Sequence, residues 1–252
     1  MKVVGLLSGG KDSVYSLFCA VKSGHELVAV AHVSNAVPGS EPDSYMYQSV
    51  ASECVSAVAE CLEVPLFIRQ RTGTAIATDL TYSSEGVKGD EVEVMLDVLS
   101  DVRKSGIEFD GVVSGAIWSS YQKARVESVC KRLGVESIAP LWQRDQSELL
   151  NEMIESGVNA VLVKVACMGL GRKQLGQSLS TVQSHLEKLS KEFGANVCGE
   201  GGEFESLVLD CPGLFKHKRL VLDETEVVEH SPDPFAPVLY LKINKFHVEP
   251  KQ

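Results

Sequence analysis

The stretch Leu6-Leu7-Ser8-Gly9-Gly10-Lys11-Asp12-Ser13 decides the fold of the first half of this chain. The residues just before it, Lys2–Leu6, are mostly apolar and predict a buried strand. The apolar residues after it, from Val14 to Val21, recur at helical spacing. The stretch is therefore predicted to be a loop that joins a strand to a helix.

Such a junction favours the binding of an anion. The first N–H groups of a helix have no partner within the helix, and the helix dipole is positive at that end. Glycines also allow a close approach between the backbone and a phosphate. We therefore predict a phosphate site formed by Ser8, Gly9, Gly10, Lys11, Asp12 and Ser13. The alternative is an ordinary tight turn in which Asp12 or Ser13 is the N-cap of the helix.

Composition and charge limit the classes of function. The chain has 252 residues, of which 44% are hydrophobic and 23% charged, as in soluble globular proteins. Its net charge of −10 disfavours direct binding to nucleic acid. The seven cysteines have neither paired nor zinc-type spacing, which predicts a reduced, cytoplasmic protein. We found no targeting segment or membrane-spanning run, so no membrane partner is expected.

Strand and helix patterns alternate through the first half of the chain. After the first strand and helix, the predicted elements are a strand at 25–33, a helix at 44–62, a strand at 66–68, a loop at 72–88 and a helix at 89–103. Residues 109–117 are predicted to form a fourth strand that runs into a loop of small residues. This order predicts an α/β fold with a doubly wound parallel sheet. Beyond Pro140 the pattern loosens into a helix at 145–156, a strand at 160–165 and a helix at 178–193, and the tail that follows is β-rich. We therefore predict an ATP-binding domain at 1–138 and a smaller α+β substrate domain at 139–252.

Two further segments are predicted to contact a nucleotide. Ligands bind beyond the carboxyl ends of the strands in open parallel sheets, and His32 and Val33 end the second predicted strand. They are therefore candidates for an adenine pocket, although a histidine there can also be a core residue. The small residues Ser114, Gly115 and Ala116 follow the fourth strand and would allow a second close backbone approach.

The phosphate stretch resembles a known motif. Its glycines and Lys11 nearly satisfy the Walker A pattern, but Asp12 stands where a Ser or Thr would bind magnesium. Residues 8–13 instead resemble the PP-loop S-G-G-x-D-S of the ATP pyrophosphatases. This resemblance implies a HUP-like, adenine nucleotide alpha hydrolase-like sheet. It also implies cleavage of ATP between the α- and β-phosphates, with Mg²⁺ as cofactor.

Two longer segments carry a narrower resemblance. Residues 115–127, with Pro140-Leu141-Trp142, are similar to the G-A-I-x-S-x-Y-Q-x-x-R-V-E and P-L-W segments of the diphthine–ammonia ligase family. Residues 199–205 are similar to its G-E-G-G-E-[YF]-E signature. The resemblance implies a ligase that uses ATP and ammonium to amidate diphthine on translation elongation factor 2, through an acyl-adenylate. Larger members carry extra C-terminal domains, so the length predicts a stand-alone ligase.

The resemblance also implies roles for individual residues. Lys11, Asp12 and Arg125 would be catalytic, and Asp12 would bind Mg²⁺. Aromatic faces and carboxylates suit the quaternary ammonium of diphthine. The predicted substrate residues are Tyr45, Asp90, Glu91, Glu93, Trp118, Tyr121, Gln122, Trp142, Glu200, Glu203, Phe204 and Glu205.

Ordinary structural roles remain open for these residues. Arg125 could pair on a helix surface, and the aromatic residues could fill the core. The acids at 90–93 could complement a helix dipole, and the glutamates at 200–205 could be solvated. Cys198 lacks the context of a nucleophile, so ammonia is expected to come from solution.

Two other functions remain compatible with the sequence. One is a PP-loop enzyme that modifies transfer RNA, which a basic groove beside the nucleotide site would favour. The other is a nucleotide-sensing module, which would bind ATP without producing AMP and pyrophosphate.

Overall fold

The structure is a computed structural model that describes residues 1–34, 46, 48, 50–233 and 235–251. Within these residues, strands and helices alternate through the first half of the chain, and strands dominate its end. The elements are β1 (Lys2–Leu6), α1 (Lys11–Lys22), β2 (Glu26–Ser34), α2 (Val55–Leu62), β3 (Leu66–Gln70), α3 (Glu93–Lys104), β4 (Gly111–Val113), α4 (Ser120–Leu133), β5 (Glu136–Ile138), α5 (Gln146–Glu155), β6 (Asn159–Val165), α6 (Leu179–Phe193), β7 (Phe204–Asp210), β8 (Lys218–Ser231) and β9 (Val238–Pro250).

The first sheet is parallel, with strand order β3-β2-β1-β4-β5. Strands β2 and β3 are added on one side of β1, and β4 and β5 are added on the other side. The direction of winding therefore reverses between β1 and β4. This arrangement confirms the predicted doubly wound α/β sheet. In such sheets the crevice at the reversal point is the usual ligand site.

The phosphate stretch forms the predicted loop between β1 and α1. Helix α1 begins at Lys11, and Gly10 occupies its N-cap position without any side-chain cap. The alternative in which Asp12 or Ser13 caps the helix is therefore wrong. The helix packs closely on β1, because a side chain at Gly5 would come within 2.4 Å of the Leu17 side chain.

The second sheet is antiparallel, with strand order β7-β6-β9-β8. Strands β8 and β9 form a long hairpin that pairs from Lys218 opposite Pro250 to Ser231 opposite Val238. The predicted helix, strand and helix appear as α5, β6 and α6, and the strands β7, β8 and β9 that follow agree with the predicted β-rich tail. None of the described helices has the length and apolar character needed to cross a membrane.

Both faces of the first sheet are covered, as alternation along β1 shows. Val3 belongs to the larger core cluster and its neighbour Val4 to a second cluster on the opposite face. The larger cluster continues from Leu17 of α1 to Leu207 of β7 and Phe215 beyond it. The two sheets therefore share one core. The two predicted domains, 1–138 and 139–252, are therefore packed against each other.

Two predicted helices begin later than expected. The described residues at 46, 48, 50 and 51 are not helical, Ala51 has a left-handed φ of 62°, and a short 3₁₀ helix at Ser52–Cys54 leads into α2 at Val55. Helix α3 starts at Glu93 instead of residue 89, because the Asp90 carboxylate accepts hydrogen bonds from the amides of Ile76, Ala77 and Val92. Those bonds hold Asp90 in the preceding turn.

Candidate active site

A cleft of about 700 Å³ opens between the two sheets, a volume typical of small-molecule sites. One wall is formed by the carboxyl ends of β1, β2 and β4 and the start of α1. The other is formed by residues 198–202 and the first residues of β7. The ligand crevice of the doubly wound sheet therefore faces the acidic segment that precedes and begins β7.

The loop of residues 8–13, called the phosphate loop below, is held by its own serine hydroxyls. Ser8 Oγ accepts from the Gly10 amide at 3.2 Å and donates to Ser13 Oγ at 3.1 Å. Ser13 Oγ donates to the Gly10 carbonyl at 2.9 Å. The amides of Asp12 and Ser13 find no acceptor among the described residues. They remain available to an anion at the N-terminus of α1.

Gly115 allows the loop after β4 to approach the phosphate loop closely. A Cβ on Gly115 would lie 2.8 Å from the backbone of both Asp12 and Ser13. The loop after β4 thus packs directly on the first turn of α1, as a second close backbone approach requires. Ser8, Gly10, Ser13, Ser114, Gly115 and Ala116 all line the cleft. Gly9 does not, because its carbonyl accepts a hydrogen bond from Val208 on the other side.

Lys11 and Asp12 form an ion pair at the base of the cleft. Lys11 Nζ lies 2.7 and 2.9 Å from the two carboxylate oxygens of Asp12, and it also donates to the Cys198 carbonyl. The ring of Phe204 lies 5.1 Å from this ammonium. Burial lowers the pKa of Lys11, but the acidic groups around it, Asp12 foremost, leave that pKa above its ordinary value. Lys11 is therefore charged and directed toward the C-terminal sheet.

His32 and Val33 line the cleft at the end of β2. His32 Nδ1 lies 2.8 Å from the Leu7 carbonyl, and because a carbonyl only accepts, Nδ1 carries the proton. Its Nε2 is buried and has no partner among the described residues. Burial lowers the pKa of His32, although the bond to Leu7 raises it. The ring is thus neutral and presents a lone pair at Nε2.

The acidic segment contributes two of its three carboxylates to the cleft. Glu200 lines it, and one of its oxygens accepts from the Trp118 amide at 3.0 Å. Burial raises the pKa of Glu200 above its ordinary value. Glu205 also lines the cleft and accepts from the Val50 amide at 3.0 Å. Glu203 is turned away, because it accepts from the amides of Asn196 and Gly201 and closes the turn.

The predicted aromatic and amide residues are divided between the cleft and the surface. Tyr121, Gln122 and Phe204 line the cleft. Trp118 is half-exposed outside it and donates from its indole to the Arg144 carbonyl at 3.0 Å. Trp142 also lies outside, beneath Lys123 Nζ at 5.2 Å. The structure therefore does not gather these aromatic residues into one cage. Tyr45 lies outside the described residues.

Arg125 is fully buried and does not line the cleft, but its guanidinium lies over the ring of Tyr121, which does. Its guanidinium donates to the carbonyls of Tyr121 at 3.0 Å and Asp79 at 3.1 Å, and also to that of Ala77. A buried cation requires such acceptors, and here the segment 72–88 supplies two of them. The alternative in which Arg125 pairs on a helix surface is therefore wrong. The structure places its predicted catalytic group beneath this segment.

The acids at 90–93 form hydrogen bonds or ion pairs with residues outside the cleft. Asp90 binds the amides of Ile76 and Ala77, both at 2.9 Å. Glu91 pairs with Arg71 at 3.0 Å. Glu93 accepts from the Tyr82 hydroxyl and pairs with Arg132 at 2.8 Å. None of the three acids lines the cleft within the described part of the chain.

Sequence analysis missed two residues that join the walls of the cleft. Gln48 Nε2 donates to the carbonyls of Ser206 and Val50, both at 3.0 Å. Ser206 Oγ accepts from the Lys11 amide at 3.1 Å. No local pattern reveals these contacts, because Lys11 and Ser206 are 195 positions apart. The sequence indicates a role for Ser206 only through its position next to residues 199–205, which resemble a family signature.

The described residues contain no group of three acidic, histidine or cysteine side chains able to hold a metal. Cys198 lines the cleft, and its thiol donates to the Gln146 carbonyl at 3.2 Å. Burial raises the pKa of Cys198 to about 12. The sulfur is therefore a protonated thiol at neutral pH, which agrees with a structural role.

With this geometry in place, comparisons with known proteins are decisive. The family model described as "Diphthamide synthase N-terminal domain" matches residues 1–137, and "Diphthamide synthase C-terminal domain" matches residues 145–238. The chain belongs to the diphthamide synthase family. The family resemblance inferred from the motifs at 8–13, 115–127 and 199–205 is thereby confirmed.

Diphthamide synthase relatives match along the whole chain. A diphthine–ammonia ligase from Danio rerio is 47% identical over 254 residues, which cover 100% of this chain and 98% of the fish protein. One from Mus musculus is 46% identical and covers 100% of this chain and 94% of its own. One from Schizosaccharomyces pombe is 48% identical over 96% of this chain but only 39% of the longer yeast protein.

A solved structure matches more distantly. It is a 4-thiouridine synthetase–RNA complex with bound ATP, with 19% identity and a TM-score of 0.38 over 61% of this chain and 40% of its own. This likeness is too remote to carry an inference about function.

Proposed function

We propose that this member of the diphthamide synthase family is a diphthine–ammonia ligase. It amidates the carboxylate of diphthine on elongation factor 2 with ammonium and consumes ATP. The observation that carries the proposal is the cleft itself, which is lined by Asp12 and Ser13, with their free amides, and by the acids Glu200 and Glu205. A phosphate site thus lies opposite a site suited to a cation. The full-length similarity to proteins named diphthine–ammonia ligase supports the same function.

The reaction needs activation because a carboxylate is a poor electrophile. A carboxylate oxygen of diphthine attacks the α-phosphorus of ATP, forming a C–O–P linkage while the bond to the β-phosphate breaks and pyrophosphate leaves. Ammonia then attacks the carbonyl carbon, AMP leaves, and a proton is lost as the amide forms. The amides of Asp12 and Ser13 would stabilise the charge that develops on the phosphates.

The cleft residues fit ATP. The phosphates would lie on the phosphate loop beside Gly115, whose missing Cβ allows the loop after β4 to pack on the first turn of α1. The base would lie toward His32 and Val33. When bound, Mg²⁺ supplies positive charge to the phosphates, and it commonly uses one or two carboxylates plus the phosphates themselves. Asp12, whose side chain is 29% exposed and whose two oxygens accept from Lys11 Nζ, would supply one such carboxylate through a lone pair not used by Lys11.

The other predicted site residues have different proposed roles, which depend on whether they line the cleft. Glu200, Glu205, Tyr121 and Phe204 are proposed to contact the modified histidine, because they line the wall opposite or beside the phosphate loop. Arg125 is proposed to hold the segment 72–88 instead of touching substrate.

The decisive experiment combines the purified protein with ATP, ammonium and elongation factor 2 that carries diphthine. We expect one AMP and one pyrophosphate for each diphthamide found by mass spectrometry. Production of neither AMP nor diphthamide, with ATP still bound, would favour the sensing module instead. Cells that lack the protein should accumulate diphthine, and complete diphthamide there without a second enzyme would contradict the proposal.

The transfer RNA alternative finds no support in the cleft. Among its described lining residues, Lys11 is accompanied by three acids, Asp12, Glu200 and Glu205, so the lining is not a basic groove. Addition of transfer RNA to the same assay should not stimulate AMP production.

A further inference from the structure

The phosphate loop is anchored to the C-terminal sheet through its own backbone. The Gly9 carbonyl accepts from the Val208 amide at 2.9 Å. The Lys11 amide donates to Ser206 Oγ at 3.1 Å, and Lys11 Nζ donates to the Cys198 carbonyl. Gly9 and Lys11, on either side of Gly10, thus bind β7 or the turn before it. The position of the loop depends on the position of β7.

Ser206 is the central residue of this attachment. It is 4% exposed and follows Phe204 and Glu205, which line the cleft. Its hydroxyl holds the first amide of α1, while its carbonyl accepts from Gln48 Nε2 at 3.0 Å. One residue therefore connects the nucleotide side of the cleft to the acidic side.

We propose that Ser206 is a positioning residue that couples nucleotide binding to binding of the carboxylate-bearing protein substrate. The inference rests on the proposed function, since it assigns the two ligands to the two walls. The Lys11 amide precedes the free amides of Asp12 and Ser13 on the same helical turn. A ligand that moves or fixes β7 at Glu205 therefore also moves or fixes those phosphate-binding amides.

Coupling of this kind is reciprocal, so each ligand must raise the affinity for the other by the same factor. A merely structural serine would instead stabilise the fold and leave this factor unchanged. The ratio of two nucleotide affinities, measured with and without protein substrate, separates these roles. Stability alone does not.

The experiment is a calorimetric titration of α,β-methylene-ATP, which cannot be cleaved at the reacting bond. It is done with and without saturating elongation factor 2 that carries diphthine. We expect the wild-type protein to bind the nucleotide about 5- to 150-fold more tightly with the factor present. In Ser206→Ala this ratio should fall close to one.

Two variants serve as matched controls. Ser206→Thr keeps the hydroxyl and suits a strand, so it should restore the ratio. Ser128→Ala removes another buried serine hydroxyl, which donates to the Ser83 carbonyl at 2.8 Å away from the cleft, and it should keep the wild-type ratio. If Ser206→Ala does not fold, Ser206→Cys takes its place, because a thiol is nearly isosteric but a weak acceptor.

The coupling would be overturned if the wild-type protein bound the nucleotide equally well with and without the factor. It would also be overturned if the variant that lacks the Ser206 hydroxyl gave the same affinity ratio as the wild-type protein. An equal loss of the ratio in Ser206→Thr or Ser128→Ala would overturn it as well. Diphthamide formation by the wild-type protein is measured in parallel. An active wild type without coupling overturns only this inference, whereas an inactive wild type overturns the proposed function.

Discussion

Asp12 neutralises a buried lysine and also faces the cleft. We expect Asp12→Ala to lower ATP-dependent pyrophosphate release by at least about 100-fold, the usual effect of removing an electrostatic group from a reacting site. The melting temperature should also fall, because the buried Lys11 side chain would lose its carboxylate partner.

The double variant Lys11→Met/Asp12→Ala separates the two effects. It removes the lysine left without a partner and should recover part of the melting temperature without recovering turnover. Normal pyrophosphate release by Asp12→Ala, measured with an enzyme-coupled assay, would show that Asp12 has no role in the reaction.

Gly115 is the residue whose size matters most for the phosphate loop. Its Cβ would meet the backbone of Asp12 and Ser13 at 2.8 Å, so Gly115→Ala must push the loop and the β4–α4 connection apart. We expect a stability loss of about 1–3 kcal/mol and weaker ATP binding. Gly171→Ala is the control, since no atom lies within 4 Å of its added Cβ. Unchanged ATP affinity in calorimetry would place the nucleotide elsewhere.

Glu200 gives the protein a predictable dependence on pH. Burial raises its folded-state pKa above the ordinary 4.5, so the folded protein holds this proton more tightly than the unfolded chain. The stability from that proton is complete below 4.5 and is lost as the pH rises through the folded-state pKa. Glu200→Gln should therefore gain melting temperature relative to wild type as the pH increases over this window.

Thermal unfolding at a series of pH values tests this expectation. Glu26→Gln, at an exposed position of β2, controls for the loss of a surface charge. A melting-temperature difference for Glu200→Gln that shrinks with rising pH would contradict the expectation.

At the scale of elements, the segment 72–88 has no regular structure of its own and is held by buried charges. Arg125 binds its carbonyls, and Asp90 binds its amides. We expect Arg125→Met to lower the free energy of unfolding by about 3 kcal/mol, because hydrogen bonds to a charged group are lost. Deuterium uptake should rise within 72–88.

The control is Arg69→Met, which breaks a more exposed ion pair with Asp101 and should cost less than about 1 kcal/mol. If Arg125→Met keeps the segment protected from exchange but loses turnover at unchanged ATP affinity, Arg125 acts in catalysis as the family resemblance implied.

Element types were predictable, but two helix starts were not. Apolar periodicity identified β1, α1 and β2 because these elements bury continuous apolar faces. The start of α3 depends on the Asp90 carboxylate, which binds amides up to 14 positions away. Sequence reasoning treated that acid as part of the helix, since a first-turn acid and a turn-closing acid look the same in a sequence.

At the scale of the whole molecule, the shared core predicts cooperative unfolding. Leu17 of the first sheet region and Leu207 and Phe215 of the second belong to one buried cluster. Separation of the two parts would expose this apolar surface, so neither part should melt alone. We expect one urea transition, coincident by tryptophan fluorescence and far-ultraviolet circular dichroism. Two resolved transitions would show that the predicted domains 1–138 and 139–252 unfold independently.

In the candidate site, local sequence pattern predicted the phosphate loop but not the contacts between the two walls of the cleft. The phosphate loop was predictable because strand, glycines and helix are contiguous. Ser206 and Gln48 were not, because their hydrogen bonds join residues more than 150 positions apart. Resemblance located the acidic segment but not the direction of its side chains, so Glu203 was grouped with Glu200 and Glu205.

The shared core has a final consequence for how the chain holds together. The peptide link between the two halves passes through an exposed turn at Gln143, whereas the contacts between the halves are buried. The residues that connect the two halves covalently are therefore different from the residues that hold them together. A single backbone cleavage at that turn would leave a nicked protein whose pieces stay associated, with both walls of the cleft still opposed.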